Sequence, residues 1–145
     1  MDKFDKYYTS KELSIKEDLK NSYVKYDEKT LLISNGYSVV FTKTIRNDFK
    51  HNDKYAYGIQ GFYDNFRSKA SKCNKRNIAL SEIKDGLLDG HYNIDEDYAI
   101  NYTQLNKIIN IIGAKEINII EDETPIIEIV GRNSQVGYLL PCRVY

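Results

Sequence analysis

Between Asn101 and Tyr145 the spacing of apolar residues changes period once, at Gly113, and that change restricts the stretch to a helix followed by strands. Leu105, Ile108, Ile109 and Ile112 fall at i, i+3, i+4 and i+7, one face of a helix. Asn101 can cap that helix, with Gln104 three positions on, and Gly113 supplies a left-handed stop. Burying the four side chains is worth roughly 6–12 kcal/mol as an upper bound, enough to dock the helix on a sheet. Beyond Gly113 the pattern alternates. Ile117-Asn118-Ile119 predicts one strand, and Glu121-Asp-Glu-Thr-Pro125 a turn that its acids keep wet and Pro125 closes to pairing. Ile126 to Val130 then returns through Gly131-Arg-Asn-Ser134 onto Val136 to Leu140.

Upstream, Leu31-Leu-Ile-Ser-Asn-Gly36-Tyr-Ser-Val-Val-Phe41 reads as two alternating strands around Asn35-Gly36, a dipeptide suited to the positive φ angles of a hairpin turn. Ser14-Ile-Lys-Glu17 predicts a capped short helix to Lys20, and Tyr23 to Tyr26 opens the first strand pair through Asp27-Glu28-Lys29. Thr44 to Gly61 is polar and reads as loop with short strands. Phe62 to Leu80 predicts a helix, and Ser81 to Leu88 another, ended at Asp89-Gly90. Nothing in the composition divides residues 1–145 into two domains, and the chain is long enough to bury a substantial core.

Two of these segments resemble the bacterial DNA polymerase III β sliding clamp. Asn101 with Gln104-Leu105, then Pro125, then Leu140-Pro141-Cys142-Arg143-Val144 follow the order in which a clamp domain closes. Ser34-Asn35-Gly36-Tyr37-Ser38-Val39 is similar to the clamp's Thr-Asp-Gly element, with Asn in place of Asp and Ser in place of Arg. The resemblance implies an α+β fold, a single sliding-clamp-like domain with helices packed on antiparallel sheet. It implies a role in DNA replication by binding rather than by chemistry. In that family the two motifs belong to neighbouring domains and line an apolar groove for short peptides of replication proteins. The matching positions are Ser34, Gly36, Tyr37 and Val39 on one side and Tyr138, Leu140, Pro141 and Cys142 on the other. A clamp subunit carries three such domains and this chain has room for one, so the two halves are expected to meet only across a head-to-tail contact between copies.

Charge adds a second expectation. The chain is neutral overall, yet Lys43 to Arg76 holds nine bases against three acids, interleaved with Tyr55, Tyr57, Phe62, Tyr63 and Phe66. Bases among aromatics suit a nucleic-acid surface, with double-stranded DNA the expected partner and Arg67, Lys69, Lys72, Lys75 and Arg76 the expected phosphate contacts. Glu82 to Asp97 reverses the sign. An acidic segment of that kind suits the rival expectation, a small phage-type protein that inhibits a host enzyme or defence system by occupying its nucleic-acid site. The abundance of Ile, Lys, Asn and Tyr, whose codons are AT-rich, fits an AT-rich bacterium or its mobile elements.

Catalytic patterns are thin. His51 and His91 stand among polar residues without a serine or cysteine motif, and Gly58-Ile-Gln-Gly61 lacks the residues of a phosphate-binding loop. Asp85 to Glu96 has the spacing of a calcium loop, but Leu87 cannot donate the oxygen its third position requires, so the segment reads as a solvated acidic loop. No metal, cofactor or catalytic residue is therefore expected. Cys73 and Cys142 lack metal-type spacing, no apolar run approaches a membrane span, and Met1 to Tyr7 lacks a signal-peptide core. Reduced thiols and a cytoplasmic location follow as expectations.

Overall fold

Strands buried along nearly their whole length cannot turn either face to water, and β2 (Thr30–Ser34), β7 (Glu116–Ile120) and β8 (Ile126–Val130) are of that kind. The computed structural model describes residues 22–25, 29–34, 37–43, 56–84 and 90–144. Among these, strands β1 (Ser22–Lys25), β2 (Thr30–Ser34), β3 (Ser38–Lys43), β4 (Lys75–Ile78), β7 (Glu116–Ile120), β8 (Ile126–Val130) and β9 (Val136–Leu139) form one antiparallel sheet in the order β1-β2-β3-β9-β8-β7-β4. A smaller sheet holds β10 (Cys142–Arg143), β6 (Tyr98–Asn101) and β5 (His91–Asn93) in that order. The helices are α1 (Ala56–Lys72), α2 (Leu80–Lys84) and α3 (Tyr102–Ile112). This is an α+β arrangement, with helices packed on antiparallel sheet.

Alternation along each strand divides the large sheet between two cores. Leu31, Ile33, Val40, Ile117, Ile119, Ile127, Ile129 and Leu139 face α3, where Leu105, Ile108, Ile111 and Ile112 meet them together with Ile100 of the small sheet. Leu32, Val39, Ile120, Ile126 and Tyr138 face the other way, under Ile59, Tyr63, Phe66 and Ala70 of α1. α1 and α3 therefore lie on opposite faces of one sheet.

The C-terminal half follows the period change. Asn101 Oδ1 accepts from the Gln104 N–H at 3.1 Å, and Gly113, at φ 67°, donates its N–H to Ile109 O at 2.8 Å. The β8–β9 turn has Asn133 and Ser134 both at positive φ (55° and 63°), with Gln135 N donating to Arg132 O, the geometry that matches the twist of a tight hairpin. β2 and β3 pair antiparallel as expected, but Ser34 pairs with Val39, leaving four residues between them where a two-residue Asn35-Gly36 turn was expected; Asn35 and Gly36 lie outside the described residues, as do the short helix expected at Ser14 to Lys20, His51, and Asp85 to Asp89 of the calcium-like loop.

Two expectations in the middle of the chain are corrected. α1 begins at Ala56, inside the stretch read as loop, because Ile59, Tyr63, Phe66 and Ala70 at i, i+4, i+7 and i+11 dock on the sheet and outweigh the poor helix propensity of Gly58 and Gly61. The helix stops at Lys72 rather than Leu80. Residues 75–78 instead pair with β7, whose outer backbone groups would otherwise lack protein partners. α2 is likewise described as Leu80–Lys84, opening one residue before the expected start.

Candidate functional site

A proline decides where the two sheets join. β9 ends at Leu139, and Pro141 has no N–H to continue the ladder, so the chain leaves the large sheet and re-pairs in the small one. There Cys142 pairs with Ala99 and Arg143 with Tyr98, and Val144 N donates to Asp97 O at 2.8 Å. The Arg143 guanidinium lies over the Tyr98 ring at 5.9 Å. On the neighbouring strand Ser38 pairs with Leu139 and Val39 with Tyr138, and Leu140 N donates to Tyr37 O at 2.8 Å, extending the same register.

This pairing corrects the expectation that the two halves of the groove meet only between copies. They are adjacent strands of one chain. Ser34, Val39 and Tyr138 are buried; Val39 and Tyr138 pack in the core under α1. Tyr37 is 44% exposed, Leu140, Pro141 and Cys142 are half-buried, and Gly36 lies outside the described residues. Val144, just beyond β10, is 41% exposed. Its only sequence signal is its place in the terminal Leu-Pro-Cys-Arg-Val run. Burial pushes the Cys142 thiol above its ordinary pKa, so it is a poor nucleophile.

The expected DNA contacts do not share a face. At 100° per residue, Arg67 and Lys69 flank the buried stripe of α1 on opposite sides and Lys72 points away from it. Lys75 lies on the α1 side of β4, and its neighbour Arg76 on the α3 side. Three of the five are also engaged by the chain's own groups. Lys69 Nζ meets Asp122 Oδ2 at 2.8 Å, Lys75 Nζ meets Glu128 Oε1 at 3.0 Å, and Arg76 donates to Ile94 O at 3.1 Å with Glu121 3.9 Å from its Nε. The Lys69 hydrogen bond holds the Asp122 carboxyl below its usual pKa. Arg67 and Lys72 make no ion pair among the described residues.

A polar row crosses the α1 side of the large sheet at one level. Asn77, Asn118, Glu128 and Tyr138 are successive cross-strand partners on β4, β7, β8 and β9. Asn77 Nδ2 donates to Asn118 Oδ1 at 3.0 Å, Asn118 Nδ2 to Glu128 Oε1 at 3.0 Å, and Lys75 Nζ to both Glu128 oxygens at 3.0 and 3.2 Å. Burial, and then the Glu128 charge, push the Tyr138 phenol well above its ordinary pKa. The sequence places Asn118 and Glu128 in strands but carries no sign that they meet, because the register is set in three dimensions.

The acidic turn Asp95-Glu96-Asp97 is exposed, and Asp95 Oδ1 accepts from the N–H groups of Asp97 and Tyr98 at 2.8 Å each. Glu82 accepts from the Tyr92 hydroxyl at 3.0 Å, and His91 is exposed on β5. Among the described residues no group of three or more His, Cys, Asp or Glu side chains could hold a metal, and no helix is long and apolar enough to cross a membrane. The chain matches no protein-family model and has no significant match among curated proteins or solved structures.

Proposed function

We propose that this protein is a non-catalytic binding module of the sliding-clamp type, which receives a short apolar peptide of a partner protein along Tyr37, Leu140, Pro141, Cys142 and Val144. The observation that supports this reading is the β3–β9 pairing, which joins within one chain the two segments that resemble the sides of the clamp groove. They end at the surface in a partly exposed apolar strip. Apolar anchors of this kind contribute most where they can be fully desolvated by a partner. A protein partner is favoured over DNA because Lys69, Lys75 and Arg76 are already engaged by carboxylates or a carbonyl, which phosphates would have to displace.

Fluorescence anisotropy of a labelled peptide with adjacent apolar side chains, of the kind sliding clamps receive, tests the reading. The wild type should bind saturably as a single chain, and Tyr37→Asp and Leu140→Asp should each weaken binding about tenfold or more, roughly 1.4 kcal/mol. Absence of binding by the wild type, or unchanged affinity in both variants, refutes it. The same titration with a labelled DNA duplex at low salt reads the alternative: tight, salt-sensitive binding lost on charge reversal of Arg67 and Lys72 would restore DNA as the ligand.

A further inference from the structure

Three of the five residues in each of β7 and β8 are isoleucine, and isoleucines opposite isoleucines do not by themselves choose a register. β7 reads Glu-Ile-Asn-Ile-Ile and β8 Ile-Ile-Glu-Ile-Val. Sliding β7 by two residues keeps every side chain on its own face: on the α3 side one isoleucine pair survives, Ile119 with Ile129 or Ile117 with Ile127, while Glu121 comes opposite Ile127 or Lys115 opposite Ile129 at the strand ends. The turn between them, residues 121–125, is exposed except for Pro125 and too long to dictate pairing as the Asn133-Ser134 turn does for β8 and β9. The polar row does discriminate. Asn118 is held from both flanks, by Asn77 of β4 and by Glu128 of β8, and the Glu128 side chain is only 6% exposed. A shift one way sets Ile120 against Glu128 and removes the Asn118 amide from a buried carboxylate; a shift the other way sets Glu116 against Glu128, like charge on like.

We infer that Asn77, Asn118, Glu128 and Lys75 form a register lock for β7, a conformational device that selects one pairing among those that keep each side chain on its own face, rather than adding stability. Desolvating Glu128 offsets much of what its bonds return, so an apolar row of similar volume would be as stable but less specific.

The double variant Asn118→Leu with Glu128→Leu tests this, read by urea unfolding and by amide resonances. The expected result is a urea midpoint equal to or above wild type together with two sets of cross-peaks for residues 116–120 and 126–130. A single set with the native contact between positions 118 and 128 would overturn the inference and assign the register to the short connection Gly113–Lys115. Loss of folding would overturn it too, because the row would then be a source of stability. Glu128→Gln, which keeps an acceptor for the Asn118 amide, should retain one set of cross-peaks; doubling there would show that charge rather than hydrogen-bond geometry does the selecting.

Discussion

Gly137 is a point of close approach between α3 and the sheet. It lies in β9 between Val40 and Ile129, and a Cβ built there would stand 2.6 Å from Ile108 Cγ2 and 3.6 Å from Val40 Cγ2. The glycine is required by close approach of a helix, since Gly137 has no positive φ. Gly137→Ala should therefore cost about 1–3 kcal/mol through overpacking, measured by urea unfolding. On the opposite side, Tyr138 sits among Tyr63 and Phe66, with ring centroids 6.1 and 5.7 Å away. Its folded pKa is raised above the ordinary 10.0, so the phenol stays neutral in the fold while the unfolded chain ionises. That contribution is fully present below about pH 10 and is lost as pH rises from there toward the folded value. Stability of the wild type should fall more steeply above pH 10 than that of Tyr138→Phe, and parallel alkaline profiles would contradict the assignment.

Among the elements, α1 shows packing overriding local preference. Its inward residues are aromatic or aliphatic, whereas Gly58 and Gly61 are exposed with nothing within 4 Å of where a Cβ would stand. Each glycine costs the helix about 1 kcal/mol relative to alanine and gains no close contact in return. Gly58→Ala and Gly61→Ala should each raise stability by about 0.5–1 kcal/mol, seen as a higher thermal midpoint; a fall in both would mean that this face is occupied. In α3 the cap, the glycine stop and the apolar stripe agree, although its isoleucines and asparagines are only moderate helix formers. Its stripe is wider than the spacing alone suggested, since Tyr102 and Ile111 are buried as well as Leu105, Ile108 and Ile112.

For the molecule as a whole, the decisive feature is the junction of its two sheets. The large sheet has a helix on each face, and the small sheet contributes Ile100 to the core on the α3 side. The C-terminal strand pair spans both sheets, so the apolar strip from Tyr37 to Val144 lies where β9 becomes β10. Because β3 and β9 pair within one chain, the proposed peptide should bind a species with the mass of a single chain. The basic stretch meets its acidic partners not in Glu82 to Asp97 but farther along the chain, with Lys69 against Asp122 and Lys75 against Glu128. The neutral overall charge is thus partly expressed as local pairs rather than as a field from one basic face.

What the sequence by itself determined is whatever is written in near neighbours. The cap at Asn101, the stop at Gly113, the alternation of Ile117 to Leu140 and the β2–β3 hairpin each depend on residues a few positions apart, so period and turn chemistry suffice to read them. Tertiary structure alone decided the rest. Lys75–Ile78 is a strand because β7 offers it an edge, Ala56–Gly61 is helical because Ile59 and Tyr63 find a sheet beneath them, and Tyr37 meets Leu140 because β9 pairs with β3. Those outcomes rest on hydrogen bonds and burial between segments tens of residues apart, and no local pattern records which distant strand will satisfy them.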